Sequence, residues 1–408
     1  MGAEATAQKE VSHAIEETQS GVQGPLYVGR FGVVLLRLPD GSEPMFTTPD
    51  AREFSHSVSE KLRKALDVDP RVVKVYIERA IKTVDNARTH TYWEFNSEAE
   101  DFGEFIDRFE VLRLNEPIVF RVRVPIKNQP IYRGIDDVPS DEYLVVWDGV
   151  SVLVQWNQDV TEATASGGHI VFDVLEAAAG EAGYAAEVVA CSAECHHKFV
   201  HADVVTFDGD THPDKFVISG ETPVGVGVIT PFNREKDDLS NLLRTYHEIS
   251  YAVDIYSQVR DSVDSIYSME TKARSDSAKL MLIEYSRASS RQFPNPRSVV
   301  DAWKLRNFRG ESRKLLSGLW LAMNYVESFE REWRRSSVRF KSVLEENGLE
   351  KLTPIFDIGE EEIEALDLSL IRENLQDSSS RMDSRMIFFA TLAGAGAALG
   401  GAALSGGV

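Results

Sequence analysis

Both cysteines of the chain and three of its nine histidines fall within 11 residues, from Cys191 through Cys195, His196 and His197 to His201. Asp203, Asp208, Asp210 and His212 follow. Thiolate and imidazole are the donors of zinc sites, which need four ligands converging at about 2.0–2.3 Å from the metal. Geometry is restrictive here. On a continuous helix Cys191 and Cys195 share a face from which His197 and His201 turn away. On one extended strand all four align but spread over about 30 Å, too far for one ion. One zinc ion therefore requires a loop through residues 192–196 that brings Cys191, Cys195 and His201 together, with His197 as fourth ligand. A closed set would be structural, whereas an open position beside Asp203 or Asp210 would activate water for hydrolysis. The same residues also fit a cytosolic redox pair, Cys191 with Cys195, or small buried cysteines with surface histidines. Cys-x3-Cys spacing leaves all three open.

Other chemistry-bearing patterns are missing. There is no Gly-x4-Gly-Lys-Ser/Thr phosphate loop, no His-Glu-x2-His and no Gly-x-Ser-x-Gly. Gly225-Val-Gly227 lacks a third glycine and lies late in a β-rich run, so it reads as strand backbone. No motif fixes a reaction.

The elements that would position the Cys/His loop are mixed. Residues 25–230 are predicted to form an α+β region, mainly antiparallel sheet with helices on one face, as one domain or as two divided near 129–140. Strands are expected at 26–38, 72–81, 87–96, 118–126, 186–190, 201–207, 216–219 and 224–230. Asp148-Gly149, flanked by apolar residues over 143–154, is the strongest hairpin signal. Helices are expected from Pro49 to about Leu66, from a capping box at Ser97 and Glu100 to about Leu114, and over 169–182. Residues 1–24 form a polar leading segment.

Near residues 231–237 the pattern changes to helical periodicity. Leu239, Tyr246, Val253 and Tyr267 fall on one heptad position and Leu242, Ile249, Tyr256 and Val263 on another, with Arg260 the single break. Pro294 and Pro296 interrupt this helix, and Leu316, Leu319, Trp320, Met323, Val326, Phe329 and Trp333 repeat at three and four in the next. A long α-helical hairpin, or stalk, over 231–380 follows, with Ser289-Ser290 or Gly310 as points where an arm would split.

Charge comes in blocks. The chain carries 65 acidic and 44 Lys+Arg residues, a net charge of −21, which speaks against nucleic acid as a partner. Arg331, Arg334, Arg335 and Arg339 nevertheless lie in a locally basic stretch that would suit an anion or lipid headgroup. The simpler reading is that the acidic segment 342–380 folds beside this helix and neutralises it.

Residues 386–408 contain no charged or strongly polar side chain, long enough as a helix for a hydrocarbon core of about 30 Å. Arg381 and Arg385 precede the segment. A C-terminal transmembrane helix is expected, a single-pass tail anchor with the preceding bulk cytoplasmic. Gly396 and Gly400 form a GxxxG, which predicts packing of this helix into a homo-oligomer. With the membrane as one partner and an unknown protein or small molecule as another, the chain reads as a tethered sensing or interaction protein. The alternative is a membrane-anchored metal-dependent hydrolase using the loop at 191–212.

Overall fold

The computed structural model describes residues 27–42, 49–76, 88–97, 99, 102–128, 140–157, 167–189, 199–208, 217–222, 225–232, 238–292 and 298–380. In chain order the elements are β1 (Tyr27–Arg37), α1 (Pro49–Val68), β2 (Val72–Tyr76), β3 (Arg88–Phe95), α2 (Phe102–Phe105), β4 (Ile106–Arg113) and β5 (Ile118–Arg123). Next come β6 (Glu142–Trp147), β7 (Ser151–Asn157), α3 (Gly167–Glu181), β8 (Ala185–Val189), β9 (Phe199–Asp208), β10 (Val217–Thr222) and β11 (Gly225–Phe232). Two long helices follow, α4 (Asp238–Gln292) and α5 (Ser298–Glu346), then the short α6 (Glu360–Glu364) and α7 (Ser369–Ser380).

Contacts divide the chain into two compact units that do not follow its order: Met1–Tyr92 with Phe109–Gln258 and Val338–Asp357, and Trp93–Arg108 with Val259–Ser337 and Ile358–Val408. The first unit holds most of an 11-stranded sheet of order β10-β11-β9-β1-β7-β6-β5-β2, with β4 and β8 also pairing with β1. β1 pairs antiparallel with β4, β7, β8 and β9, as do β2 with β5, β5 with β6, β6 with β7 and β10 with β11, while β9 and β11 are parallel.

β1 explains why the sheet is covered on both sides. Nine consecutive residues of it, Arg30 included, are buried, not every second one, and burial without alternation marks a strand covered on both faces. Val28, Val34, Leu36 and Leu38 join a core with Val58, Leu62 and Leu66 of α1 and Val171, Val174 and Leu175 of α3. Phe31, on the alternate side, stacks on Tyr246 of α4 with ring centroids 6.3 Å apart. The expectation of helices on one face is therefore corrected.

A second correction concerns residues 97–114. The expected helix shrinks to the four residues of α2, and the chain continues as β4. Phe109, Glu110, Val111, Leu112 and Arg113 are all buried, and five consecutive buried positions cannot share one helical stripe, whereas a strand between two layers uses them all.

In the second unit Trp93 meets Phe329 edge-on at 5.5 Å, Phe95 lies 5.6 Å from Phe105, and Phe102 lies 5.9 Å from Tyr325. Trp333 donates its indole N–H to the Ile358 carbonyl at 2.7 Å. Neither Ser289-Ser290 nor Gly310 splits a helix. Within the first unit Tyr256 meets Phe340, and within the second Asp276 lies beside Gly318, so partners draw closer in sequence toward 293–297, as an antiparallel hairpin requires. The heptad stripe also shifts: it steps from Val263 to Ile266, leaving Tyr267 exposed, and Arg260 occupies its seam position fully buried.

No described helix is long and apolar enough to cross a membrane. Residues 386–408, with Gly396 and Gly400, lie outside the described residues.

Candidate functional site

Among the predicted ligands, Cys191, Cys195 and His197 lie outside the described residues, and His201 is placed only by its backbone, in β9. Among the described residues no group of three His, Cys, Asp or Glu side chains could hold a metal ion. Arg331, Arg334, Arg335 and Arg339 are exposed on α5. Arg331 and Arg334 pair with Glu327 and Glu330 one turn back on the same helix. Arg339 donates to the Tyr251 hydroxyl at 3.4 Å. The acidic segment instead sends Glu362 to Arg260 at 3.7 Å, and the Asp367 carbonyl accepts from Arg274 at 3.2 Å.

A cluster of buried charge among the described residues lies in the first unit, at residues absent from the sequence-based candidates. Arg113, the last residue of β4, donates through Nε to Asp148 Oδ2 at 2.9 Å and through a terminal nitrogen to Asp254 Oδ2 at 2.6 Å. The three side chains are 1–2% exposed. Charge-assisted bonds of this length are the strong kind, and in a dry setting they must offset a large desolvation cost.

Each partner is fixed locally. Asp148 opens the β6–β7 turn, where its Oδ1 accepts from the backbone N–H groups of Val150 at 3.0 Å and Ser151 at 2.7 Å. This is the side-chain turn that aspartate favours. Gly149 has φ +87°, and a β-carbon there would collide with the Leu112 carbonyl oxygen, so glycine is required. Unlike an ordinary surface turn, this one is buried: Leu114 N donates to the Asp148 carbonyl at 2.6 Å and Leu36 N to the Gly149 carbonyl at 2.7 Å. Asp254 is held by α4. From the same helix Tyr246 donates to the Ser151 carbonyl at 3.3 Å, and the Ser250 carbonyl accepts from the Ser151 hydroxyl at 3.0 Å.

His90, on β3, completes the cluster, with Nε2 3.5 Å from Asp254 Oδ1. Neither atom has a hydrogen-bond partner. Burial holds the imidazole below its ordinary pKa, with Arg113, Arg88 and Arg339 adding to that effect and Asp254 opposing it. For Arg113 burial works against the charge, but Asp254 and Asp148 outweigh it and hold the guanidinium above its ordinary value. Burial, reinforced by Asp148, pushes the Tyr246 phenol well up. The cluster is thus a guanidinium clamp between a sheet turn and a helix, with a neutral imidazole beside it.

Signals for these residues do exist in the sequence. Arg113 stands between Leu112 and Leu114, and Asp254 inside Ala-Val-Asp-Ile-Tyr, each a charge embedded in an apolar run. Such charges require partners. Compared with known proteins, the chain matches no family model, no curated protein and no solved structure.

Proposed function

We propose that this is a membrane-tethered sensing or interaction protein, whose α+β head is coupled through the long helices to a self-associating membrane segment at residues 386–408. One observation supports the coupling: Asp148 of the sheet turn and Asp254 of α4 share a single buried guanidinium, Arg113. A change in the turn is therefore passed to the helix through the buried Arg113 side chain. A rigid ionic link of this kind suits transmission better than catalysis, because its polar atoms are sealed from substrate. The anchor reading draws on the uncharged 386–408 sequence and on the arginines before it.

The test is membrane extraction of the full chain. The anchored protein stays with the bilayer through alkaline carbonate, and arginine at both Leu392 and Leu399 releases it, because charge at the centre of a span is costly. A wild-type chain that washes off in carbonate contradicts the tether. With the tether in place, Gly396→Ile and Gly400→Ile should weaken crosslinked oligomers, and unchanged bands remove the self-association.

A further inference from the structure

Asp148 and Asp254 share one guanidinium, and their oxygens are not equally served. Asp148 Oδ1 accepts from Val150 N and Ser151 N, and Asp148 Oδ2 and Asp254 Oδ2 both accept from Arg113. Asp254 Oδ1 has no donor, although a buried acceptor left unmet is costly. The atom that faces it is His90 Nε2, 3.5 Å away and itself without a partner. Meeting without a bond, the two present lone pairs to one another, and a single proton would complete the contact.

The ring is placed to collect that proton. The His90 side chain is 17% exposed and that of Asp254 1%, so the imidazole is the side of the cluster nearer to water. Histidine is also the side chain whose charge ordinarily changes between pH 5 and 8. Among the described residues it faces Arg88 on β3, Arg113 on β4, Asp254 on α4 and Arg339 on α5. Tyr246 and Tyr251 of α4 stand beside Arg113. Burial and the three arginines oppose the proton and Asp254 favours it, so the ring is neutral at pH 7 and charges only in acid.

Charging it alters the clamp. An imidazolium N–H and a carboxylate close to about 2.7–2.9 Å, so from 3.5 Å Asp254 is drawn toward β3 by about 0.6–0.8 Å. The same carboxylate holds Arg113 at 2.6 Å through its other oxygen. Its negative charge is then divided between two cations that repel each other.

We propose that His90 is a proton-operated release on the Arg113 clamp: with the ring neutral the sheet turn and α4 are joined through Arg113, and with a proton on Nε2 Asp254 turns to His90 and the joint slackens. The proton is thereby one signal that the head senses. The proposal rests on the reading of Arg113 as the link between turn and helix.

Nitrogen-15 NMR of the histidine-labelled full chain in detergent micelles, with His90→Gln identifying the signal, gives the pH at which the folded ring protonates. A double-mutant cycle of Asp148→Asn and Asp254→Asn, read by urea unfolding, is then run at pH 8 and at one unit below that midpoint. The interaction between the two acids should fall by at least half at the lower pH where His90 is present, and stay unchanged in His90→Gln. An interaction that is equal at both pH values, or that is lost alike in both backgrounds, overturns the proton release and leaves the clamp standing. A ring that stays neutral until the chain unfolds overturns it as well. No interaction even at pH 8 removes the clamp itself, and the coupling with it.

Discussion

Among the described residues two arginines, Arg113 and Arg260, are at most 2% exposed, and the two units treat them differently. In the first unit Arg113 lies between Asp148 and Asp254, at 2.9 and 2.6 Å, and both carboxylates are as buried as the guanidinium. In the second, Arg260 reaches Asp264 at 3.2 Å and Glu362 at 3.7 Å, and those acids are 40% and 43% exposed. Water screens the second arrangement and not the first. The Arg113 clamp is accordingly a fixed internal joint, whereas Arg260 is a seam residue whose charge is answered at the surface. Gly359 seals that surface: with φ +70°, a β-carbon there would sit 2.8 Å from Val263 and 3.4 Å from Arg260.

The sharpest way to break this contrast is to remove one acid from each side. Asp254→Ala leaves a buried guanidinium half-compensated and should cost about 3–5 kcal/mol in urea unfolding. Glu362→Ala removes a half-exposed partner and should cost under about 1 kcal/mol. Equal losses at the two sites would erase the distinction between joint and seam.

A smaller effect belongs to His90, which faces Arg88 on β3, Arg113 on β4, Asp254 on α4 and Arg339 on α5. Its folded pKa lies below the unfolded value of about 6.5, so above that pH its two states bind the same number of protons. As pH falls from about 6.5 toward the folded value, the unfolded chain takes up the proton first. Stability should therefore decline through that window and level off below it. Thermal melts of His90→Gln should show a flatter decline there, and a slope identical to wild type would remove His90 from the account. Asp261, in the second unit, has the opposite sign. Burial first, then Asp264 and Glu332, pushes its carboxyl well up against the Trp93 N–H bond, so it favours the fold at low pH and loses that contribution as pH rises.

Much of the secondary structure was legible in the sequence, and the failures have physical causes. Pro49 opened a helix and Asp148-Gly149 marked a hairpin, because these residues act through local backbone geometry, and the two long helices end and begin at Gln292 and Ser298, on either side of the prolines in the sequence. Residues 97–114 misled because a capping signal at Ser97 was overridden by burial of β4 on both sides. The buried clamp was missed for a related reason. A charge inside an apolar run announces that it needs a partner but not which partner, and Asp148 and Asp254 are 106 residues apart, joined only by the fold. Arg260 was visible as a break in the heptads, yet nothing local distinguished a buried charge from an interruption of the seam.

Arg113 joins the sheet turn to α4 as one ionic unit. A double-mutant cycle of Asp148→Asn and Asp254→Asn, followed by urea unfolding of the full chain, tests it most directly. Because both acids bind the same guanidinium, the account predicts an interaction energy of about 1–3 kcal/mol. Losses that add to within about 0.3–0.5 kcal/mol would mean that the two acids act independently, and would contradict it.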